Sequence, residues 1–149
     1  MMTNPTAPDR FIDDSGPFDL IGDVHGCAGE LERLLHRLGY EVRYEGVAGS
    51  RDYRIRHPEG RKAVLLGDLV DRGPRTPDVM RLAMHLVETG AGYCVVGNHD
   101  DKFRRWLAGR DVKVSHGLDA TIAQFRRESD DFRRQVATFI DSLPHHLLL

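Results

Sequence analysis

The chain reads as an α/β protein on three observations. Apolar, strand-like runs at Phe18–Ile21, Ala63–Leu66 and Tyr93–Val96 alternate with segments of helical periodicity. Each run breaks into a Gly- and Asp-bearing block: Gly22-Asp23-Val24-His25-Gly26, Gly67-Asp68-Leu69-Val70-Asp71-Arg72-Gly73 and Gly97-Asn98-His99-Asp100. Strand–helix–strand–helix–strand is the pattern of a mostly parallel sheet with flanking helices, and such sheets bind ligands beyond the carboxyl ends of their strands. All three blocks fall there, so one rim gathers Asp23, His25, Asp68, Asp71, Arg72, Asn98 and His99.

Taken in order, residues 1–17 are polar, carry Pro5, Pro8 and Pro17, and lack the apolar core of a signal peptide, so a flexible leader is expected. The first strand, Phe18–Ile21, opens through its block into a helix carrying Leu31, Leu34, Leu35 and Leu38 on one face, with Gly39 as its stop. Polar/apolar alternation over residues 41–57, around Gly46 and Gly49, predicts an inserted hairpin. Ala63–Leu66 is wholly apolar, as a strand buried in a parallel sheet would be. Thr76-Pro77 predicts a helix start with Thr as cap and Pro at the first helical position. Val79, Met80, Ala83, Leu86 and Val87 form its buried stripe, and Gly90 ends it. After Tyr93–Val96, a short helix is expected around Lys102–Leu107. A longer one is expected near Ser129–Leu143, with Phe132, Val136, Phe139, Ile140 and Leu143 on one side.

A length of 149 residues suits one domain with room for a core, and 40% hydrophobic with 30% charged residues is ordinary for a globular protein. A formal charge of −2 gives no general attraction to polyanions, so nucleic-acid contact would have to be local. No segment approaches the roughly 20 apolar residues of a membrane span. Two cysteines, Cys27 and Cys94, fit a reducing compartment, and the expected location is cytoplasmic. Cys94 reads as a small core residue; Cys27, beside the first block, reads as a packed helix-start residue rather than a modulating thiol.

The rim has the chemistry that phosphate-ester hydrolysis requires. An anionic nucleophile must approach an anionic phosphorus, and two divalent cations about 3.5–4 Å apart neutralise the phosphate and generate hydroxide from bound water. Hard and borderline cations take carboxylate, imidazole and amide oxygen ligands. Asp23 and His25, two apart on a loop leaving a strand, can reach one ion. Asp68 can bridge two with its two oxygens, and Asn98 can offer a neutral oxygen to the second. Taken singly, an Asp after a strand reads as a turn or helix cap, and a lone His as a surface or core residue.

The three blocks in this order resemble the signature of the calcineurin-like metallophosphoesterases. His57-Pro58-Glu59-Gly60-Arg61, Asp71-Arg72-Gly73-Pro74-Arg75 and Val112-Lys113-Val114-Ser115-His116-Gly117-Leu118 are similar to one bacterial branch. That branch holds the phosphatase module of bacterial polynucleotide kinase-phosphatases and the symmetric diadenosine tetraphosphate hydrolases. The resemblance implies that Asp23, His25 and Asp68 hold a first metal and that Asp68 and Asn98 begin a second. It implies that Arg72, with Asn98, grips the phosphate. It makes His99 the general acid, with Asp71 holding its ring and raising its pKa. The implied cofactors are two divalent ions, Mn²⁺ foremost, with Fe, Zn, Ni or Co as alternatives.

The implied fold is the N-terminal half of an αββα sandwich over residues 18–149. The resemblance adds two metal-binding histidines from a second half, and the chain reaches Leu149 before the strand expected to carry the first. The domain is therefore expected to be C-terminally incomplete, with a dimer or a missing partner segment covering it. The implied reaction is in-line hydrolysis of a phosphomonoester or phosphoanhydride by metal-bound hydroxide. Asp71-Arg72-Gly73-Pro74-Arg75 with Pro77-Asp78-Val79 tilts the substrate toward 2′- or 3′-phosphate ends of nucleic acids. The alternatives are diadenosine tetraphosphate, phosphoproteins, or an inactive metal- or phosphate-binding remnant.

Several features stay outside that assignment. His36 and His85 lie in helical patterns and read as surface or satisfied residues, and His145 and His146 as helix-end residues after Pro144. His116 has no assigned role. Arg126, Arg127, Arg133 and Arg134, with Arg104, Arg105, Arg110 and Lys113 nearby, could track a polynucleotide backbone, but Glu128, Asp130 and Asp131 interleave and favour a solvated helix.

Overall fold

The computed structural model describes residues 10–149. Three parallel strands carry the architecture: β2 (Phe18–Ile21), β5 (Lys62–Leu65) and β6 (Gly92–Cys94), hydrogen-bonded in the order β2-β5-β6. Leu20 pairs with Val64, and Val64 with Tyr93, so the strand ends are level and their loops leave at one rim. Between β2 and β5 run α1 (Ala28–Arg37) and the antiparallel hairpin β3 (Glu41–Glu45) and β4 (Asp52–Arg56). Helix α2 (Thr76–Glu88) joins β5 to β6 and packs on β6 and β4. Then follow α3 (Asn98–Leu107), α4 (Leu118–Phe125) and α5 (Asp130–Ser142). A two-residue pairing joins β1 (Arg10–Phe11) to β7 (Leu147–Leu148), and the Ile12 N–H extends it by donating to the Leu148 carbonyl.

The fold class is as predicted, a parallel sheet with flanking helices. Of the expected leader over 1–17, residues 1–9 lie outside the described residues. Residues 10–17 carry β1 and Asp14, whose carboxylate binds Lys62 Nζ at 2.6 Å and Tyr93 Oη at 2.7 Å. One apolar core runs through the molecule, from Ile21, Leu31 and Leu35 through Leu65, Met80 and Leu86 to Phe103, Phe125 and Ile140. Leu34, expected on the buried face of α1, is exposed, because that face narrows to Ala28, Leu31 and Leu35. Leu20 and Leu66 project from the sheet into solvent.

Three local expectations need correction. Thr76 is the first residue of α2 rather than its cap: Arg75 occupies the cap position, and the Thr76 N–H donates to Gln124 Oε1 at 2.7 Å. A tertiary partner replaces the local cap. Helix α3 begins at Asn98 rather than near Lys102, since the buried Asp100 carboxylate accepts the Gly97 N–H at 2.9 Å and satisfies its first turn. Helix α4 was not anticipated; Leu118, Ile122 and Phe125 bury its apolar side.

Candidate active site

The loops after β2, β5 and β6 meet at one rim. The His25 N–H donates to the Asp68 carbonyl at 2.9 Å and the Gly26 N–H to the Leu69 carbonyl at 2.8 Å, so the first two loops are laced by backbone bonds. The third loop joins through the His99 N–H, which donates to Asp68 Oδ1 at 3.1 Å. Gly97 must lack a side chain here, because a Cβ would overlap Asp68 Oδ1 and the Asp68 backbone nitrogen.

These loops hold their functional side chains in an uncommon backbone state. Asp23, His25, Asp68, Asp71 and Arg72 all have positive φ, between 43° and 75°. Left-handed backbone costs most non-glycine residues roughly 1–2 kcal/mol, with aspartate among the more tolerant. Five such residues at one rim mark a place where side-chain placement overrides local comfort.

Ligand atoms of Asp23, His25 and Asp68 lie within 4.8 Å of one another. His25 Nδ1 sits 2.8 Å from the Val70 carbonyl, which can only accept, so Nδ1 carries the proton and Nε2 is the free lone pair. Two carboxylates and one oriented imidazole make a donor set that fits a divalent cation of the hard or borderline kind. Asn98 is exposed at the first position of α3, next to His99.

Beside this group, His99 Nδ1 lies 2.7 Å from Asp71 Oδ2, and the His99 ring meets the His25 ring edge-on with centroids 4.8 Å apart. Asp71 is buried at 1% exposure, so His99 Nδ1 is held by a carboxylate shielded from water and Nε2 is left for an incoming group. Arg72 is exposed, with its N–H anchored on the Gly117 carbonyl at 3.1 Å. Each residue that the sequence placed on the rim is on it.

The sequence reading missed three supports. Asp100 is fully buried and accepts from the backbone of Leu69 at 2.8 Å as well as from Gly97, tying the second loop to the third. Burial pushes its carboxyl up to about 6, against the lowering effect of those N–H donors. Its signal was an acid three residues after Gly97, at the position where a helix start reaches back. Thr121 and Gln124 of α4 bind Asp71 and the Gly73 carbonyl, and their signal was two polar residues among the apolar positions of a short helix.

Other candidates resolve as structural. His85 Nε2 accepts the Ile55 N–H at 2.8 Å, while His36, His145 and His146 are exposed. His116 is exposed in left-handed backbone. Cys94 is buried, which pushes its thiol well up, and Cys27 Sγ lies 3.5 Å from the His25 carbonyl. Part of the arginine-rich face is neutralised locally: Arg133 pairs with Asp130, Arg134 with Asp131, Arg104 with Asp101 and Asp141, and Arg105 with Asp101.

A parallel sheet whose strand ends carry this donor set and a buried Asp–His pair defines a metal-dependent phosphoesterase class of site. The calcineurin-like phosphoesterase family profile matches residues 16–140, and the chain belongs to that family, whose members use divalent metals. It is 45% identical over 119 residues to the bis(5′-nucleosyl)-tetraphosphatase PrpE [asymmetrical] of Halalkalibacterium halodurans, covering 80% of this chain and 45% of that protein. To the protein of the same name from Bacillus subtilis it is 41% identical over 120 residues, covering 80% and 46%. The chain thus spans slightly less than half the length of these curated relatives. A solved structure described as a candidate diadenosine tetraphosphatase superposes with TM-score 0.61 at 27% identity, over 95% of this chain and 49% of that one. A Saccharomyces cerevisiae serine/threonine phosphatase superposes with TM-score 0.59 at 18% identity, which supports the fold. Among the described residues, no helix is long and apolar enough to cross a membrane.

Proposed function

We propose that this protein is a metal-dependent hydrolase of dinucleoside polyphosphates, cleaving a phosphoanhydride of diadenosine tetraphosphate or a close analogue. One observation carries the chemistry: the Asp23–His25–Asp68 donor group stands beside the buried Asp71–His99 pair. The relatives named above support the substrate, and they favour this alternative over the expected lean toward nucleic-acid ends. A cytoplasmic location is part of the proposal, supported by the two free cysteines.

Within this reading Asp23, His25 and Asp68 hold one divalent ion, and Asp68 with Asn98 contributes to a second; Mn²⁺ is the proposed metal. When bound, the ions neutralise phosphate charge and supply an activated water. Arg72 grips phosphate oxygens with its planar fork, and Asn98 orients the same group. His99 delivers a proton from Nε2 to the leaving oxygen, while Asp71 keeps the opposite ring nitrogen protonated and aimed. The exposed Leu20 and Leu66 support association, as a dimer or with a partner segment, and sedimentation should show more than a monomer.

The experiment is a hydrolysis screen with added Mn²⁺ on diadenosine tetraphosphate, 2′- and 3′-phosphorylated nucleotides and a phosphoserine peptide, with products separated by chromatography. The expected result is chelator-sensitive cleavage of the tetraphosphate to ATP and AMP, faster than any monoester. Preferred release of phosphate from nucleotide ends would restore the nucleic-acid reading. Metal binding without turnover of any substrate would favour the remnant.

A further inference from the structure

Helix α4 places a polar group among the apolar ones that it buries. Leu118, Ile122 and Phe125 enter the core, and Thr121 is as deeply buried as they are. A threonine hydroxyl has one proton to give and lone pairs to receive. Thr121 Oγ1 accepts the Asp71 N–H at 2.8 Å, and it lies 2.9 Å from Asp71 Oδ1, so its single proton goes to the carboxylate. The other oxygen, Asp71 Oδ2, takes His99 Nδ1 at 2.7 Å. Both oxygens of this buried carboxylate are therefore assigned, one to α4 and one to α3.

We infer that Thr121 is a positioning residue for the Asp71–His99 pair. Its hydroxyl fixes the rotation of the Asp71 carboxylate, and with it the orientation of the His99 ring. The inference rests on the reading of His99 as the proton donor to the leaving group. Asp71 holds left-handed backbone at φ 75°, so its N–H also needs a fixed acceptor, and Thr121 supplies that too. Deleting the hydroxyl strands a buried N–H and a buried carboxylate oxygen together. The carboxylate then gains by rotating toward the one donor left to it, the His99 ring, and the aim of Nε2 is lost. A threonine that served packing alone would tolerate valine, which has the same shape.

Thr121→Val and Thr121→Ser test this in the Mn²⁺-loaded protein, with kcat and KM measured for phenyl phosphate and p-nitrophenyl phosphate. The first leaving group needs a proton; the second departs readily without one. Thr121→Val should lower kcat for phenyl phosphate by roughly 10- to 100-fold, the scale of a hydrogen bond to a charged group. KM, metal content and the p-nitrophenyl rate should change little, and Thr121→Ser should restore the loss. An equal loss on both esters, or no loss, overturns the inference.

A second readout is independent of turnover. The imidazole N–H resonance of His99, strongly downfield when bonded to a carboxylate, should move upfield or broaden in Thr121→Val and persist in Thr121→Ser. An unchanged resonance in Thr121→Val also overturns the inference. If the wild-type protein hydrolyses neither ester, this resonance alone decides for or against Thr121, and the proposed function is judged separately on diadenosine tetraphosphate. Should Thr121→Val not fold, Thr121→Cys, a weakly donating thiol of similar size, carries the same comparison.

Discussion

Two clusters of charged side chains lie at opposite flanks of the segment 71–78, and they differ in how their charge is partnered. On the flank facing the hairpin, every charge is spent on a neighbour. Asp78, with no exposed side-chain surface, accepts the Gly49 N–H at 2.6 Å, the Arg51 N–H at 3.0 Å and the guanidinium of Arg75. Glu32 takes Arg75 at 3.0 Å, Tyr53 Oη at 2.7 Å and Arg51. On the rim, Asp23, His25 and Asp68 converge on one another, with no ion pair to Lys or Arg among the described residues. Buried charge that is fully partnered fastens the hairpin to α1 and α2; two carboxylates gathered beside one oriented imidazole make a donor set suited to a divalent cation. The two clusters also differ in kind, since the rim group sets a histidine between two aspartates on strand-end loops, while the other pairs Glu32 of α1 and Asp78 of α2 with arginines.

The sharpest break of this comparison is Asp68→Ala. It should cost at least about 10³-fold in turnover on every substrate, because metal-derived stabilisation is worth several kcal/mol. Calorimetry should show loss of Mn²⁺ binding, while the metal-free protein stays folded with a somewhat lowered melting temperature, because the His99 N–H loses its acceptor. Next, His99→Ala should reduce turnover about 10²–10⁴-fold for a poor leaving group and far less for p-nitrophenyl phosphate, with metal content retained. Loss of metal in that variant would move His99 from acid to ligand.

On the other flank, Asp78→Ala should act on stability first. It strands Arg75, Arg81 and two backbone N–H groups, at a cost of about 3–5 kcal/mol read by urea unfolding. Metal affinity in the folded protein should be unchanged, and a large fall would mean that the two clusters are coupled through residues 71–75. The smallest expected effect is electrostatic. Hydrogen bonds from Lys62, then from the Gly16 N–H and Tyr93, hold the Asp14 carboxyl down at about 2, below its ordinary 3.8. A lowered folded-state pKa gives stability that is complete above 3.8 and lost as pH falls through about 2. The stability difference between wild type and Asp14→Asn should therefore be flat above pH 4 and shrink toward pH 2.

The strands and the rim were legible in the sequence because their determinants are local. An apolar run ending in Gly-Asp names a strand, its end and its side chain at once, and Phe18–Ile21 followed by Gly22-Asp23 shows all three. What was illegible depends on partners distant in the chain. Arg61, in a motif that resembled one bacterial branch, has a structural partner that the sequence does not reveal: its guanidinium holds Asp19, at 2.7 and 3.0 Å, at the start of β2. His57 in the same motif is spent on the Leu38 carbonyl and the Glu59 N–H. Arg75 and Asp78, read as a tilt toward nucleic-acid substrates, belong to the hairpin anchor. Thr76 was misread as a cap because nothing near it reveals that Gln124 would take its N–H. Helix α4 escaped for a related reason: eight residues with mixed polarity carry too few turns to display a period.

The left-handed backbone at Asp23, His25, Asp68, Asp71 and Arg72 bears on how this protein would drift under selection for robustness alone. Glycine or asparagine would sit more comfortably at His25 and Arg72, whereas aspartate is itself among the residues that tolerate this backbone. Random libraries screened for heat resistance, with no substrate in the assay, should accumulate glycine and asparagine first at His25 and Arg72. The sites enriched in such a screen would trace the rim without any chemistry being measured. Durability and ligand capture are thus set against each other residue by residue, and that opposition is written in backbone torsions.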